Sequence, residues 1–200
     1  MRQLIEAAQK EFLSIFDEHI KREGAAALRE YLLTKSDFFS APASAKFHSA
    51  FAGGLCAHSV NVYNKLVSLL AAQFGETWRE KYAPESVAVC GLLHDICKVD
   101  CYRPDKRNVK VDGKWEERPY FARDEKLPYG HGEKSVYILS GFMKLTREEA
   151  MSINWHMGGF DSRVRGGDNS VSEAYRLYLL APLLHASDLL ATYLDEESGE

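Results

Sequence analysis

Hydrophobic positions along the chain recur mostly at helical spacing. In residues 2–22 apolar side chains return every three or four positions with charged residues between them, which predicts an amphipathic helix. Similar patterns predict further helices over residues 25–34, 56–73, 84–98, 132–143, 146–157 and 170–194. We expect the last of these to kink or break near Pro182, because a proline inside a helix removes a backbone hydrogen bond.

Two stretches interrupt this pattern. Residues 40–54 are rich in Ser, Ala, Pro and Gly, which predicts loop and short turns. Residues 99–131 contain three prolines and several charges, and they predict a long polar insertion with a small hairpin around Val109–Trp115. Loops of this length inside a compact domain are often functional.

The arrangement of these elements predicts an all-α, single-domain helical bundle spanning residues 1–200. Helices within residues 1–35 are expected to pack on a core formed by residues 48–192, and residues 99–131 are expected to form the insertion. We find no internal repeat and no composition shift that marks a domain boundary.

Composition and charge argue against several classes of protein, including non-specific nucleic-acid binders and membrane proteins. The chain is 46% hydrophobic and 27% charged, as ordinary soluble proteins are, and its net charge of −4 argues against a non-specific binder of long nucleic acid. No stretch approaches the roughly 18 apolar residues of a spanning helix, and the charged start does not match a signal peptide. We therefore expect a cytoplasmic protein with no membrane partner and with four reduced cysteines. A weaker alternative is a metal ion bound by both Cys97 and Cys101.

The strongest chemical signal is the pair His94-Asp95, at the end of a predicted helix that is otherwise almost entirely apolar. Burying a carboxylate beside an imidazole is costly unless both are paired or bind a metal. Taken alone, the pair is equally compatible with a hydrogen bond in the core. His58 lies near the start of another helix, and Asp188 interrupts the apolar face of the last one. Two imidazoles and two carboxylates suit Mn, Fe, Co, Ni, Zn or Mg rather than a metal that prefers thiolates.

The order His58, His94-Asp95, Asp188 resembles the HD superfamily of metal-dependent phosphohydrolases. The segment HSAFAGGLCAHSVNV (48–62) is similar to the HD domain attached to bacterial 3′-to-5′ exoribonucleases. LLHDICK resembles their LLHDIGK, with Cys97 in place of glycine. The resemblance covers residues 48–192. The nucleic-acid-binding OB domain of those enzymes has no counterpart in this sequence, so processing of long RNA is not expected.

The resemblance also implies a second ion. In two-metal members, additional histidines bind it, often as an adjacent His-His pair. Here the matching positions are His131 and His156, followed by Met157 rather than a second histidine. Asp95 would bridge the two ions. Alternatively, the two histidines line the pocket and hydrogen-bond a phosphate.

The remaining candidates surround this centre. Asp95 is a candidate to help deprotonate a metal-activated water, and Lys98 to contact a phosphate, although Lys98 can equally be a solvated residue at a helix end. His185, three residues before Asp188, either orients that carboxylate or belongs to the core. Further candidates for substrate binding are His48, Arg103, Arg163 and Arg165.

These observations favour hydrolysis of a phosphoester or phosphoanhydride in a nucleotide or short oligonucleotide, with one or two divalent ions. Two other interpretations stay open. One is a di-iron oxygenase that acts on a small substrate. The other is a non-catalytic nucleotide-binding module in which the metal is structural. The expected partner is a small phosphorylated molecule, and a homo-oligomer remains open.

Overall fold

The computed structural model of the chain describes residues 2–45 and 49–196, and it is predominantly helical. Ten α-helices lie in the described part of the chain: α1 (Arg2–His19), α2 (Ala25–Thr34), α3 (Gly54–Phe74), α4 (Trp78–Lys81), α5 (Pro84–Leu93), α6 (His131–Ser140), α7 (Arg147–Asn154), α8 (Ser162–Arg165), α9 (Ser170–Leu177) and α10 (Leu180–Leu190). The same residues also contain a two-stranded sheet, formed by β1 (Tyr102–Val111) and β2 (Lys114–Arg123). The prediction of an all-α protein with a long insertion is confirmed.

The core is built around α3 and α5. Helix α3 packs against α1, α5 and α10, while α7 packs against α5, α6 and α10. Seven consecutive residues of α5, Val87 to Leu93, are buried, as expected for a helix that is apolar on every side. The largest fully buried side chains come from several helices: Phe12, Phe16, Leu28, Leu32, Leu55, Leu66, Leu70, Leu92, Leu93 and Leu139.

Gly91 lets α5 approach α3 closely. A Cβ atom at this position would lie 2.8 Å from the backbone Cα of Tyr63, closer than non-bonded carbon atoms approach. The contact falls five residues after His58 on α3 and three residues before His94. The close crossing of these two helices therefore brings two predicted ligand residues together.

A buried ion pair ties the N-terminal segment to the core. Arg22, just after α1, donates to both carboxylate oxygens of Glu149 on α7 at 2.7 Å each. The backbone N–H groups of Lys21 and Arg22 donate to Glu85 in the first turn of α5. Glu149 is fully buried and also completes a capping box with Thr146 at the start of α7.

One predicted helix end is wrong, and one predicted break is confirmed. The helix expected over 84–98 ends at Leu93, and a short 3₁₀ turn follows at Ile96–Lys98. The last helix breaks at residues 178–179, near Pro182 as predicted. Pro182 lies in the first turn of α10, where a backbone N–H has no partner within the helix and its loss costs little.

The insertion forms a larger hairpin than predicted. Strands β1 and β2 pair antiparallel from Tyr102 opposite Arg123 to Val111 opposite Lys114. Asp112 and Gly113 join them, both with positive φ angles, as the two central residues of a type I′ turn require. Most residues of the hairpin are exposed on both faces.

No single helix among the described residues has the length and apolar character needed to cross a membrane. One strongly bent pair, Ser170–Leu177 with Leu180–Asp195, meets those two requirements together.

Replacing Gly91 by alanine should lower the free energy of unfolding by about 1–3 kcal/mol, because the added methyl group forces α5 away from α3. Urea denaturation followed by circular dichroism measures this loss. Gly159→Ala is the matched control, since a Cβ at Gly159 meets no atom within 4 Å. Equal stability of the Gly91→Ala and control proteins would contradict the close crossing.

Candidate metal centre

Six predicted ligand residues converge from five parts of the fold. His58 belongs to α3, and His94 and Asp95 follow the end of α5. His131 is the first residue of α6, His156 follows α7, and Asp188 lies in α10. Three of the four imidazoles, those of His58, His94 and His156, are fully buried.

The carboxylate of Asp95 lies at the centre of this group. Its Oδ2 is 3.4 Å from Nε2 of His58 and 3.6 Å from Nε2 of His94. Its Oδ1 is 2.7 Å from Nε2 of His131 and 3.4 Å from Nε2 of His156. The two oxygens therefore face two different pairs of imidazoles, which is the arrangement of a carboxylate that can bridge two ions.

Asp188 completes the group on the side of His58. Its Oδ1 lies 3.2 Å from Nε2 of His58, and Nε2 of His58 lies 3.3 Å from Nε2 of His94. Two sets of donor atoms, each within 4.8 Å of one another, are His58–His94–Asp95 and His94–His156–Asp188. Such buried sets of imidazole and carboxylate donors can hold a divalent ion.

Backbone carbonyls fix the tautomers of two histidines. Nδ1 of His94 donates to the carbonyl of Gly91 at 3.0 Å, and Nδ1 of His156 donates to that of Ile153 at 2.6 Å. Each neutral ring then carries no proton on Nε2 and presents a lone pair to the centre. Nε2 of His156 is buried and has no hydrogen-bond partner within residues 2–45 and 49–196. A buried acceptor without a partner is costly, and a metal ion would satisfy it.

His58 is oriented by a carboxylate that the sequence did not indicate. Its Nδ1 lies 2.7 Å from Oε1 of Glu196, and Ser49 donates its hydroxyl to the other oxygen of that carboxylate. A carboxylate on the far nitrogen of an imidazole is the usual outer partner of a metal-binding histidine. Glu196 lies beyond the last predicted helix, in no recognisable pattern, so nothing in the sequence marked it.

The pKa values of the central groups follow from burial and charge. Burial lowers the pKa of His94 to about 3, so this ring is neutral and can act as a ligand. Burial also opposes the charged form of His58, but hydrogen bonds with Asp188, Asp95 and Glu196 outweigh it and raise its pKa. Against the effect of burial, the His58 contact lowers the pKa of Asp188. Both carboxylates of the centre are thus held ionised, since Lys98 and the histidines also lower the pKa of Asp95.

Lys98 points into the centre rather than into solvent. Its Nζ lies 2.6 Å from Oδ2 of Asp95, and only 12% of its side chain is exposed. The 3₁₀ turn at Ile96–Lys98, rather than a continued α-helix, gives it this direction. The alternative of a solvated residue at a helix end is therefore wrong.

Cys97 forms a third set of donors with Asp95 and His131. Its Sγ lies 3.5 Å from Nδ1 and 3.6 Å from Nε2 of His131. The replacement of the glycine in LLHDIGK was the signal that this position is unusual. Cys101 points elsewhere, with its Sγ 3.2 Å from Glu125, so the two thiols have different partners.

Two other predicted residues bond to the protein itself. Nδ1 of His185 donates to the backbone carbonyl of His156 at 2.6 Å, which fits the alternative of a hydrogen-bonded histidine of the core rather than a partner of Asp188. The guanidinium of Arg163 binds Asp161 and Glu133 and stacks on the ring of Trp155 at 3.9 Å.

The remaining substrate-binding candidates lie outside this group. Arg165 is exposed on α8, with its guanidinium 5.9 Å from the ring of Phe160. Arg103 is exposed on β1 and pairs with Asp105 at 3.1 Å. His48 lies outside the described residues.

A cavity of about 300 Å³ opens beside the centre. His131, whose side chain is 32% exposed, forms part of its wall. The other charged, aromatic and thiol side chains in its wall include three cations and two carboxylates; they are Lys98, Lys134, Arg123, Glu125, Asp161, Tyr102, Tyr129, Phe160, Cys97 and Cys101. Its volume is at the lower end of the range for small-ligand pockets.

An ion pair at the cavity joins the base of the hairpin to α6. Nζ of Lys134 lies 2.7 Å from Oε1 of Glu125, and both side chains are mostly buried. Burial alone would raise the pKa of Glu125, but hydrogen bonds from Lys134 and from the backbone of Leu127 lower it to about 2. This pair fixes the point at which the hairpin leaves the helical body.

Comparison with known proteins identifies one similar protein. The chain is 36% identical over 149 residues to ribonuclease Y of Mycoplasmoides gallisepticum (strain R(low / passage 15 / clone 2)). The match covers 73% of this chain but 23% of the relative, so the chain spans less than a quarter of that protein's length. No protein-family model matches the chain, and no solved structure matches it.

The pKa of Glu125 gives a pH prediction. Its carboxyl is more acidic in the folded chain than its ordinary value of 4.5, so its contribution to stability is present above pH 4.5 and is lost as the pH falls toward 2. Glu125→Gln should therefore lower the melting temperature at neutral pH and flatten its fall between those pH values. Parallel curves for the two proteins across that range would contradict the prediction.

Cys97 gives a spectroscopic prediction. A tetrahedral ion bonded to sulfur and nitrogen at about 2.3 and 2.0 Å places these atoms about 3.5 Å apart, close to the separations found here. Protein loaded with Co²⁺ should therefore show a thiolate-to-cobalt charge-transfer band. The band should be lost in Cys97→Ser and kept in the matched variant Cys101→Ser. Its absence from the unmodified protein, or its persistence in Cys97→Ser, would contradict the prediction.

Proposed function

We propose that this chain is an HD-type, metal-dependent phosphohydrolase that cleaves a phosphoester or phosphoanhydride of a nucleotide or short oligonucleotide. The observation that carries this proposal is the convergence of three buried Nε2 atoms, from His58, His94 and His156, around the two carboxylates of Asp95 and Asp188. The donors occur in the HD order along the chain. The similarity to a protein named ribonuclease Y supports hydrolysis of a phosphate ester.

The donor sets suggest how ions would be held. His58, His94, Asp95 and Asp188 would hold the first ion. A second would be held by Asp95, His131 and His156, because Nε2 of both rings lies near Oδ1 of Asp95. Cys97, which forms a donor set with Asp95 and His131, is within reach. A divalent ion in such a centre supplies positive charge to the phosphoryl oxygens and lowers the pKa of water.

The residues of the chain perform the remaining tasks. The carbonyls of Gly91 and Ile153 keep the protons of His94 and His156 away from the centre, so both rings stay available as ligands. Lys98, already directed at Asp95, is positioned to contact a phosphate that enters from the cavity. If only one ion is bound, the Asp95 oxygen that faces away from it can accept a proton from an attacking water, whereas with two ions both oxygens would be ligands.

The size of the cavity indicates how much of a substrate it encloses. A volume of about 300 Å³ matches one small phosphorylated group, so any further nucleotides would lie outside it. The name of the relative also extends the substrate class toward RNA. This weighs against our sequence-based expectation that long nucleic acid is not bound, and the length of the substrate is best tested directly.

We expect His94→Ala and Asp95→Ala each to reduce hydrolysis to background, because each removes donors from the centre. Purified protein with Mn²⁺ is assayed for phosphate or nucleotide release on a panel of nucleotides and short oligonucleotides. Arg103→Ala is the matched control, since Arg103 is exposed on the hairpin and pairs with a neighbouring carboxylate.

The competing functions predict different results in the same assay. Two irons per chain with O₂-dependent turnover would favour the di-iron oxygenase. Tight nucleotide binding without release under any metal would favour the non-catalytic module. Equal product release by the unmodified and Asp95→Ala proteins would overturn the proposal.

A further inference from the structure

The pairing of the hairpin divides its side chains between two faces. Residues that lie opposite each other point to the same side, and the side alternates along each strand. The pair Tyr102 and Arg123 belongs to the wall of the cavity. The side of the hairpin that includes this pair, here named the cavity-side face, consists of Tyr102, Pro104, Lys106, Asn108, Lys110, Trp115, Glu117, Pro119, Phe121 and Arg123.

The cavity-side face combines aromatic rings with positive charge. The aromatic rings distinguish the two faces, because three lie on the cavity-side face and one, Tyr120, on the opposite face. Cations exceed carboxylates on both faces, by three to one on the cavity side, where the carboxylate is that of Glu117, and by four to two on the opposite side. Trp115 at the tip is 71% exposed. Exposure of so large an apolar ring is unfavourable in water and is typical of binding surfaces.

The hairpin is positively charged although the whole chain is not. Residues 102–123 contain seven Lys and Arg against four Asp and Glu, while the net charge of the chain is −4. The positive charge is thus concentrated on the projecting element, which favours a polyanionic partner there and disfavours one elsewhere.

The cavity-side face is continuous with the candidate metal centre. At about 3.3 Å per residue, the eight steps from Tyr102 to Lys110 span about 26 Å, enough for several nucleotides of an extended strand. The cavity itself has room for only one such group. A linear substrate that places one phosphate at the centre would therefore have its next nucleotides beside this face.

We propose that the cavity-side face binds the single-stranded part of an oligonucleotide whose reacting phosphate lies in the cavity. This inference rests on the proposed function. Trp115 and Phe121 provide surfaces on which bases stack, and Lys110, opposite Trp115, lies beside them to neutralise a phosphate. Lys106 and Arg123 pair with Glu117 and Glu125, and each would exchange its carboxylate partner for a phosphate. Stacking accepts every base, so the face selects for a single strand and for length rather than for sequence.

A matched pair of charge reversals tests this assignment. Lys110 and Lys114 both lie near the tip of the hairpin, but Lys110 belongs to the cavity-side face and Lys114 to the opposite face. Binding of a fluorescein-labelled thymidine homopolymer of about twelve nucleotides is measured by anisotropy, in EDTA so that nothing is cleaved. Lys110→Glu should weaken binding and reduce the slope of log Kd against log salt by at least about 0.7, while Lys114→Glu changes both less.

Trp115→Ala tests the stacking. Loss of one base–aromatic stack should weaken binding of the homopolymer about five- to a hundredfold. The cleavage rate of a mononucleotide or dinucleotide substrate should not change, because such a substrate does not reach the tip. Thermal melting should stay close to that of the unmodified protein, since Trp115 contributes little to the core.

Several outcomes would overturn the inference. Equal weakening by Lys110→Glu and Lys114→Glu would show unspecific attraction to the whole hairpin. Equal effects of Trp115→Ala on short and long substrates would exclude a separate binding surface. A dimer that dissociates in Trp115→Ala during sedimentation would show that a second copy covers the face. If Asp95→Ala cleaves as well as the unmodified protein, the proposed function fails even where strand binding is intact.

Discussion

The constraint on which this structure depends is the burial of the Asp95 carboxylate. A buried charge is tolerated only when other groups compensate it, and here four imidazoles and the ammonium of Lys98 surround its two oxygens. These groups come from several distant parts of the chain. Their convergence explains why α3, α5, α6, α7 and α10 all direct a polar side chain into an otherwise apolar bundle.

Several side chains of the candidate metal centre are positioned by the ends of helices. Asp95 lies just after α5, His156 just after α7, and His131 at the first residue of α6. At these positions the backbone carbonyls of the preceding turn no longer have helical partners, and two of them accept the Nδ1 protons of His94 and His156. The same local structure that ends each helix therefore fixes the tautomer of the histidine beside it.

The hairpin differs from the helical bundle because it is not built around a buried polar group. Its two strands pair with each other, most of its residues are exposed, and its base is attached to the body through the Glu125–Lys134 pair and the cavity wall. An element of this kind contributes little to the core, so its sequence is free to carry exposed charge and aromatic rings. Because the hairpin lies beside the centre, a substrate long enough to reach the cavity-side face can contact both the centre and that face.

The sequence by itself determined the helical class, most helix positions, and six residues of the centre, because helical periodicity and polar residues in apolar segments are local signals. It did not determine how Lys98 and Cys97 are directed, which depends on the early end of α5 and the turn after it, or that His185 contacts the backbone of His156, which depends on how α10 packs. Glu196 and the faces of the hairpin depend on packing and strand register between distant residues. Only the tertiary structure decides such contacts, because they join side chains whose separation along the chain carries no pattern.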